Sequence, residues 1–531
     1  MAQSTLPIEK ITLRYEIVAL LFLAVAGIEG MMMRVELDNI PLLSYDHYFA
    51  VMTAHPIVGI YGWAYLAVMG AFYYLVPKLL NKELYSKKIA MIGLWLQTAG
   101  VIIAWSAGFF FRYGALYTLY WPLPVAWDRF EPIGALTYAV GVAFIEISVL
   151  LFIFNIFATI FSHKKGEQKV IRNFLIAAFG IDALLGLLSH IRRAKHLSNM
   201  DGAGADPPPP VFIVSVMRGS VDAVINSIVL IVAGLIILIY SISAITGTYL
   251  NPRLIDPLLY KNWYWWGLDM IADGDVLIWT AGTLYLLAPL LANRALYGER
   301  VVRYVILADL IVSMGVWSHH LLSDRPQPAM LRLVSGQFIT WGEFFTMGLS
   351  FFTALITLWL GRPIKSSMSL KFMLGAIFGF ALGGFAGLIQ ANYGLNVIIH
   401  NTQWIAGIHI HMMLLAGLSS LIFAVIYTLL PMLTGKGLIS EKLSNLHFWL
   451  WMIGSVGMSI SVGLAGTEGM LRRNLYFGTS IYLPYMYIGT IFAIIMAIGY
   501  LMFVINVIKT YGLKTLVGIC LLYTSPSPRD R

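Results

Sequence analysis

Thirteen long apolar stretches, at residues 15–33, 48–77, 89–111, 134–162, 171–190, 212–244, 263–290, 302–322, 335–360, 370–391, 403–433, 446–465 and 482–508, follow one another along 531 residues. About 20 apolar residues in α-helix cross a hydrocarbon layer about 30 Å thick. A chain in lipid must also satisfy all of its backbone hydrogen bonds internally. These stretches therefore predict an all-α, polytopic membrane bundle. Only 11% of the residues are charged, which leaves no stretch with the composition of a soluble domain. Lys10 and Arg14 precede the first stretch, so it reads as a crossing and not as a cleavable secretory signal.

The loops decide how many stretches cross. Lys78, Lys82, Lys87 and Lys88 follow the second stretch; His163, Lys164, Lys165, Lys169 and Arg172 follow the fourth. Arg294, Arg300, Arg303, Arg362, Lys365, Lys371, Lys436 and Lys442 mark later loops. These fall on one, cytoplasmic, side only if 171–190 does not cross, because Arg192, Arg193 and Lys195 then stay with them. The expectation is twelve spans in a prokaryotic-type inner membrane, both termini cytoplasmic, with 171–190 re-entrant or interfacial and 196–211, including Asp206 to Pro210, a stiff linker. The net charge of +9 is what such loops produce and calls for no nucleic-acid partner; lipid is the partner expected. Residues 1–520 read as one transmembrane domain, whereas 521–531 turn abruptly polar and proline-rich, like translated sequencing adaptor. The single cysteine, Cys520, excludes intrachain disulfides, cysteine-ligated iron-sulfur clusters and a dinuclear thiolate copper centre within the chain.

Ionisable residues inside such spans are costly and default to function. His409 and His411 stand two apart in the eleventh stretch, so at 100° per residue they face opposite sides of one helix. They cannot share a metal, but each can hold its own, as two haems side by side require. His55, His319, His320, His409 and His411 all fall in the outer third of their spans, some 10 Å below the outer edge for His55, His409 and His411. Asp269 and Asp273 lie at the same depth. Pairing of these histidines with polar neighbours is the alternative. His163, His190, His196 and His447, beside cytoplasmic loops, and His47 and His400, near outer span ends, read as solvated or structural.

Met52-Thr-Ala-His55, the pair His319-His320, the run His400-Asn-Thr to His409-Ile-His411, and Gly469-Met-Leu-Arg472-Arg473 together resemble subunit I of the haem-copper oxidases and nitric oxide reductases over nearly the whole chain. The resemblance implies two haems: a low-spin haem with His55 and His411 as axial ligands, and a high-spin haem on His409. It implies a non-haem metal on His319 and His320, and propionate pairing by Arg472 and Arg473, the geometry guanidinium groups serve best. Interfacial anchoring is the alternative for the two arginines.

Two departures from that family bear on the chemistry. Ile408 intervenes between Gly407 and His409, an apparent one-residue insertion that a bulge or wider turn must absorb. The span at 263–290 lacks the third histidine of oxygen-reducing members, and no tyrosine follows four residues after either aspartate. Aligning the tryptophans of Trp263-Tyr-Trp-Trp puts Asp269 at the histidine position and Asp273 where nitric oxide reductases carry glutamate; their spacing of four shares one helical face. Two nitrogens with carboxylate oxygens favour iron over copper. The expectation is a respiratory terminal reductase, fed by cytochrome c, quinol or a donor subunit, that reduces nitric oxide; an oxygen-reducing cytochrome c or quinol oxidase subunit I is the alternative. If the second metal is lost, the aspartates line a proton path instead. Asp309, Glu343 and Glu146, buried in spans, are candidates for proton delivery. A cation transporter would need paired internal repeats, which the sequence lacks, and an electron-carrying haem protein without turnover is the third possibility.

Overall fold

The protein is described by a computed structural model covering residues 6–161, 175–181, 209–324, 326–475 and 480–521. Eleven helices among the described residues are long and apolar enough to cross a membrane. In chain order these are α1 (Ile8–Leu37), α2 (Tyr45–Leu80), α3 (Lys87–Phe111), α4 (Pro132–Phe161) and α5 (Val211–Ile245). After α6 come α7 (Glu299–Leu321), α8 (Ala329–Leu360), α9 (Met368–Gln390), α10 (Ile405–Thr434), α11 (Glu441–Thr467) and α12 (Ser480–Tyr511). Helix α6, residues 257–292, runs through three consecutive segments, Pro257–Asp269, Met270–Val276 and Leu277–Ala292. The helical bundle thus agrees with the all-α expectation. Of the expected re-entrant 171–190 only 175–181 are described, and the linker 196–211 and tail 521–531 fall almost wholly outside the described residues.

The starts of α2, α3, α6, α9 and α11 are fixed by side-chain caps that satisfy otherwise orphaned N–H groups. Ser44, Ser86, Asp256, Ser367 and Ser440 accept from the amides of His47, Ile89, Leu259, Leu370 and Leu443. Among the described residues, four spans contain π-helical stretches: Ile57–Tyr65, Met270–Val276, Val334–Ile339 and Ile405–Ser419. The last absorbs the inserted Ile408 as a widened turn, as the sequence requires.

Close approach of α9 to α10 depends on glycines four apart, at 379, 383 and 387, which share one face of α9. A Cβ at Gly379 would overlap the backbone at Ala416, and one at Gly383 would overlap Met413. Between apolar helices in lipid, van der Waals contact of this kind replaces the hydrophobic effect as the force of association.

Candidate active site

The segment that carries both intramembrane histidines of α10 is π-helical, and each ring is held by a backbone carbonyl, one from this segment and one from α9. His411 Nδ1 bonds to the carbonyl of Ala406, five residues back on its own helix. His409 Nδ1 lies 2.8 Å from the carbonyl of Gly383, across the glycine seam of α9. Each ring is thereby left with Nε2 as its outward donor, the tautomer a metal-binding imidazole needs.

On one side of α10, His411 faces His55 of α2 with ring centres 6.3 Å apart and planes 27° apart. Two coaxial metal–nitrogen bonds of about 2 Å, with the ring radius added at each end, come to this separation. The pair therefore fits a single iron between them. Glu29 of α1, inside the first apolar stretch, accepts from Trp105 Nε1 at 2.9 Å and holds its other oxygen 4.0 Å from His55 Nδ1. In the sequence, only its position among apolar residues marks Glu29.

On the other side, three donors converge. Helix α7 stops being α-helical at Ser313 and tightens to a 3₁₀ turn over Trp317–Leu321, bringing the His319 and His320 rings to 4.1 Å. Ligand atoms of Asp269, His319 and His320 all lie within 4.8 Å of one another. His320 Nε2 and Asp269 Oδ1 are 2.8 Å apart, the edge of a coordination octahedron with bonds of about 2 Å. Trp265, one turn before Asp269, stacks on His320 at 3.9 Å and 17°, and the Thr340 hydroxyl is 3.4 Å from His319 Nδ1. The side chain of Asp273, the other expected ligand, lies outside the described residues.

One cavity of about 840 Å³ joins both sides, and His55, His411, His409, His319, His320, Asp269, Arg472 and Arg473 all line it. That volume is near the upper end for a bound organic group, and the lining is otherwise mostly apolar, as a flat macrocycle requires. At the end lined by Arg472 and Arg473, two loops pair backbone to backbone: Thr402 bridges Leu471, Gln403 N donates to Met470 O, and Arg472 N donates to Asn401 O. This pairing sets Arg472 against His400, Nη2 to Nε2 at 3.1 Å, with Gln390 2.9 Å from Nδ1. Burial, and then neighbouring Arg473, lower the pKa of Arg472 to about 10. Arg472 Nε and Arg473 Nη2 are buried with no acceptor. Two adjacent buried guanidinium groups with orphaned N–H donors fit carboxylates of a bound group.

His400 is 4% exposed and its ring lies 6.2 Å from that of His320, so it belongs to the site, not to a solvated loop end. Burial, and next Arg472, push its pKa well below the ordinary histidine range. His447 is likewise not solvated: it sits 0% exposed against Phe423, Phe372 and Phe503, because α11 begins at Glu441 and carries it nearly two turns inward. Of the candidate proton-path acids, Glu146 lines the same cavity, whereas Asp309 and Glu343 do not. Glu146 accepts from Ser227 at 2.8 Å, Asp309 is 3% exposed and Glu343 9%.

The chain matches the family model described as cytochrome c and quinol oxidase polypeptide I over residues 10–495. It is 24% identical over 534 residues to the cytochrome c oxidase subunit 1 of Thermostichus vulcanus, covering 98% of this chain and 87% of that one. It is 26% identical over 523 residues to the probable quinol oxidase subunit 1 of Staphylococcus haemolyticus, covering 95% and 70%. Among solved structures, a haem-copper terminal oxidase dimer superposes with a TM-score of 0.73 at 19% identity, covering 98% of this chain and 85% of that one. These likenesses are to oxidases, and none supports the preference for nitric oxide drawn from the sequence.

Proposed function

Because the chain belongs to the cytochrome c and quinol oxidase polypeptide I family, whose members bind haems and a metal and are membrane oxidoreductases, we propose that it is the catalytic subunit of a gas-reducing terminal oxidase. The observation that carries this reading is the convergence of Asp269, His319 and His320 on the cavity that His409 also lines. In this reading His55 and His411 hold a low-spin haem, His409 holds a high-spin haem, Arg472 and Arg473 neutralise propionates, and the three converging donors hold the non-haem metal. When bound, these groups supply one-electron transfer and the position where the gas is reduced. The chain's own work is orientation and insulation. Gly383 and Ala406 carbonyls fix the histidine tautomers, the single residue Ile410 keeps the two haem positions adjacent, and the apolar lining excludes water. Electrons come from cytochrome c or quinol, as the names of the relatives suggest, and the lysine and arginine loops favour cytoplasmic termini.

Dioxygen is the substrate the relatives favour. Nitric oxide is the second reading, on one specific observation: an oxygen donor, Asp269, stands with only two imidazoles, a set that favours iron over copper, and the widened turn Met270–Val276 contains no tyrosine. The test is anaerobic and aerobic turnover of the purified, haem-loaded protein with a reductant and each gas, together with iron and copper per chain. Dioxygen consumption with one copper supports the first reading; nitric oxide consumption with a third iron supports the second. A haem-loaded protein that consumes neither gas overturns both.

A further inference from the structure

Two carboxylic acids buried in the bundle take no part in the centre above. Asp222 of α5 is 0% exposed and Asp309 of α7 is 3% exposed. Asp222 Oδ1 meets no hydrogen-bond donor; Asp309 has the Arg218 guanidinium near it and beside it the Thr346 hydroxyl, which is given to the Glu343 carbonyl at 2.9 Å. Leaving buried carboxyl groups unsatisfied is costly for a fold, and their placement is ordered. Arg218 of α5 bonds the Arg303 carbonyl of α7 at 2.8 Å. One turn on, Asp222 Oδ2 accepts from Ser313 Oγ at 3.0 Å, so the two helices run side by side in the same direction. Asp309 sits one turn before Ser313, on the same face and about 6 Å away. A Cβ at Gly274 would overlap Asp222 Oδ2, so this carboxyl group lies against bare backbone in the widened turn that begins just after Asp269.

We propose that Asp309, Ser313 and Asp222 form a proton relay leading from the cytoplasmic half of α7 to the widened turn of α6 beneath the Asp269–His320 pair. The relay rests on the gas-reducing function proposed above, since reducing either gas consumes one proton for each electron. Ser313 has one hydroxyl proton and two acceptors, Asp222 Oδ2 and the Leu310 carbonyl at 2.9 Å. As ionised Asp222 takes the hydroxyl proton, Ser313 Oγ takes one from Asp309 across one turn, a gap one water spans. One O–H bond breaks and one forms at Ser313, which ends neutral and turns to the Leu310 carbonyl; the proton now resides on Asp222. Asp309 is reprotonated from the cytoplasmic side.

The experiment compares Asp222→Asn, Asp309→Asn and the corresponding Glu variants as purified, haem-loaded enzyme. Expected are unchanged haem content, unchanged reduction of the low-spin haem by donor, and steady-state gas consumption lower by about tenfold or more in each Asn variant, partly restored by Glu. Turnover within about twofold of the original in both Asn variants overturns the relay, as do Glu variants as slow as the Asn ones, which would mark a packing role. If an Asn variant loses haem, Ser313→Ala decides, since it keeps both acids and removes only the hydroxyl. A starting enzyme that consumes neither gas overturns the function and the relay together; normal turnover in the Asn variants overturns the relay alone.

Discussion

Replacing Gly387 by alanine tests the central ring of the site through a methyl group. A Cβ at Gly387 would lie 2.7 Å from His409 Cε1 and 3.0 Å from its Nδ1, where ordinary contact starts at 3.4 Å. The ring must give way by about 0.7 Å, or α9 must withdraw by as much. Either movement stretches the 2.8 Å contact between His409 Nδ1 and the Gly383 carbonyl to about 3.5 Å, beyond hydrogen-bond range. Metal–nitrogen bonds tolerate about 0.2 Å, so the axial position is lost or strained. Stability will not report this: overpacking costs about 1–3 kcal/mol, and exchanging a helical glycine for alanine returns about 1 kcal/mol. The assay is therefore optical. In Gly387→Ala the high-spin haem spectrum and carbon monoxide binding by the reduced protein should diminish, with the low-spin spectrum from the opposite face of α10 unchanged as an internal standard. Full carbon monoxide binding with a native high-spin spectrum would refute the reasoning.

Asp269→Ala should lower non-haem metal occupancy by about tenfold or more with both haems retained, as read by metal analysis; unchanged occupancy would remove Asp269 from the ligand set. Glu29→Gln changes the group 4.0 Å from His55 Nδ1 and should shift the midpoint potential of the low-spin haem in a spectroelectrochemical titration, because the outer partner of a ligand imidazole tunes its basicity; an unchanged potential would separate Glu29 from the site. Tyr120 resists ionisation through burial, but Arg473, Arg472 and Lys261 outweigh this and lower its pKa below the ordinary phenol value of 10.0. Its ionised form then stabilises the fold above the ordinary value, and this contribution is lost as pH falls through the lowered one. In haem-free protein Tyr120→Phe should delete the earliest tyrosinate signal of an alkaline ultraviolet titration, and haem loading should move that signal upward as carboxylates reach the arginines.

The spans were legible because lipid imposes one composition over about 20 residues, and His55, His319, His320, His409 and His411 were legible because an imidazole is out of place there. Asp269 followed from the family resemblance, once the neighbouring tryptophans were aligned to it. What depended on contacts between distant segments was not legible. His400 joins the site only because the 402 and 471 loops pair, and Glu29 only because α1 packs beside α2. His447 was misplaced in depth, since a boundary error of a few residues at Glu441 moves a side chain from water to an aromatic cage. The widened turns left a sequence trace only at Ile408, because a π turn differs from an α turn by one step of hydrogen-bond register and has no composition of its own.

Those turns bear on how such chains diverge. A residue gained inside a membrane helix cannot be looped out into lipid, so it persists as a π segment while the number of crossings and the loop lengths stay the same. Here such segments begin two residues after His55 and directly after Asp269, enclose His409 and His411, and pack beside His319 through Ser335, whose hydroxyl accepts from Ser318 N. Between two relatives, a gap of a single residue at these positions would fall in the chemistry and not in the loops. An alignment that closes such a gap for tidiness would rotate everything beyond it by about 100° and exchange a ligand for its neighbour.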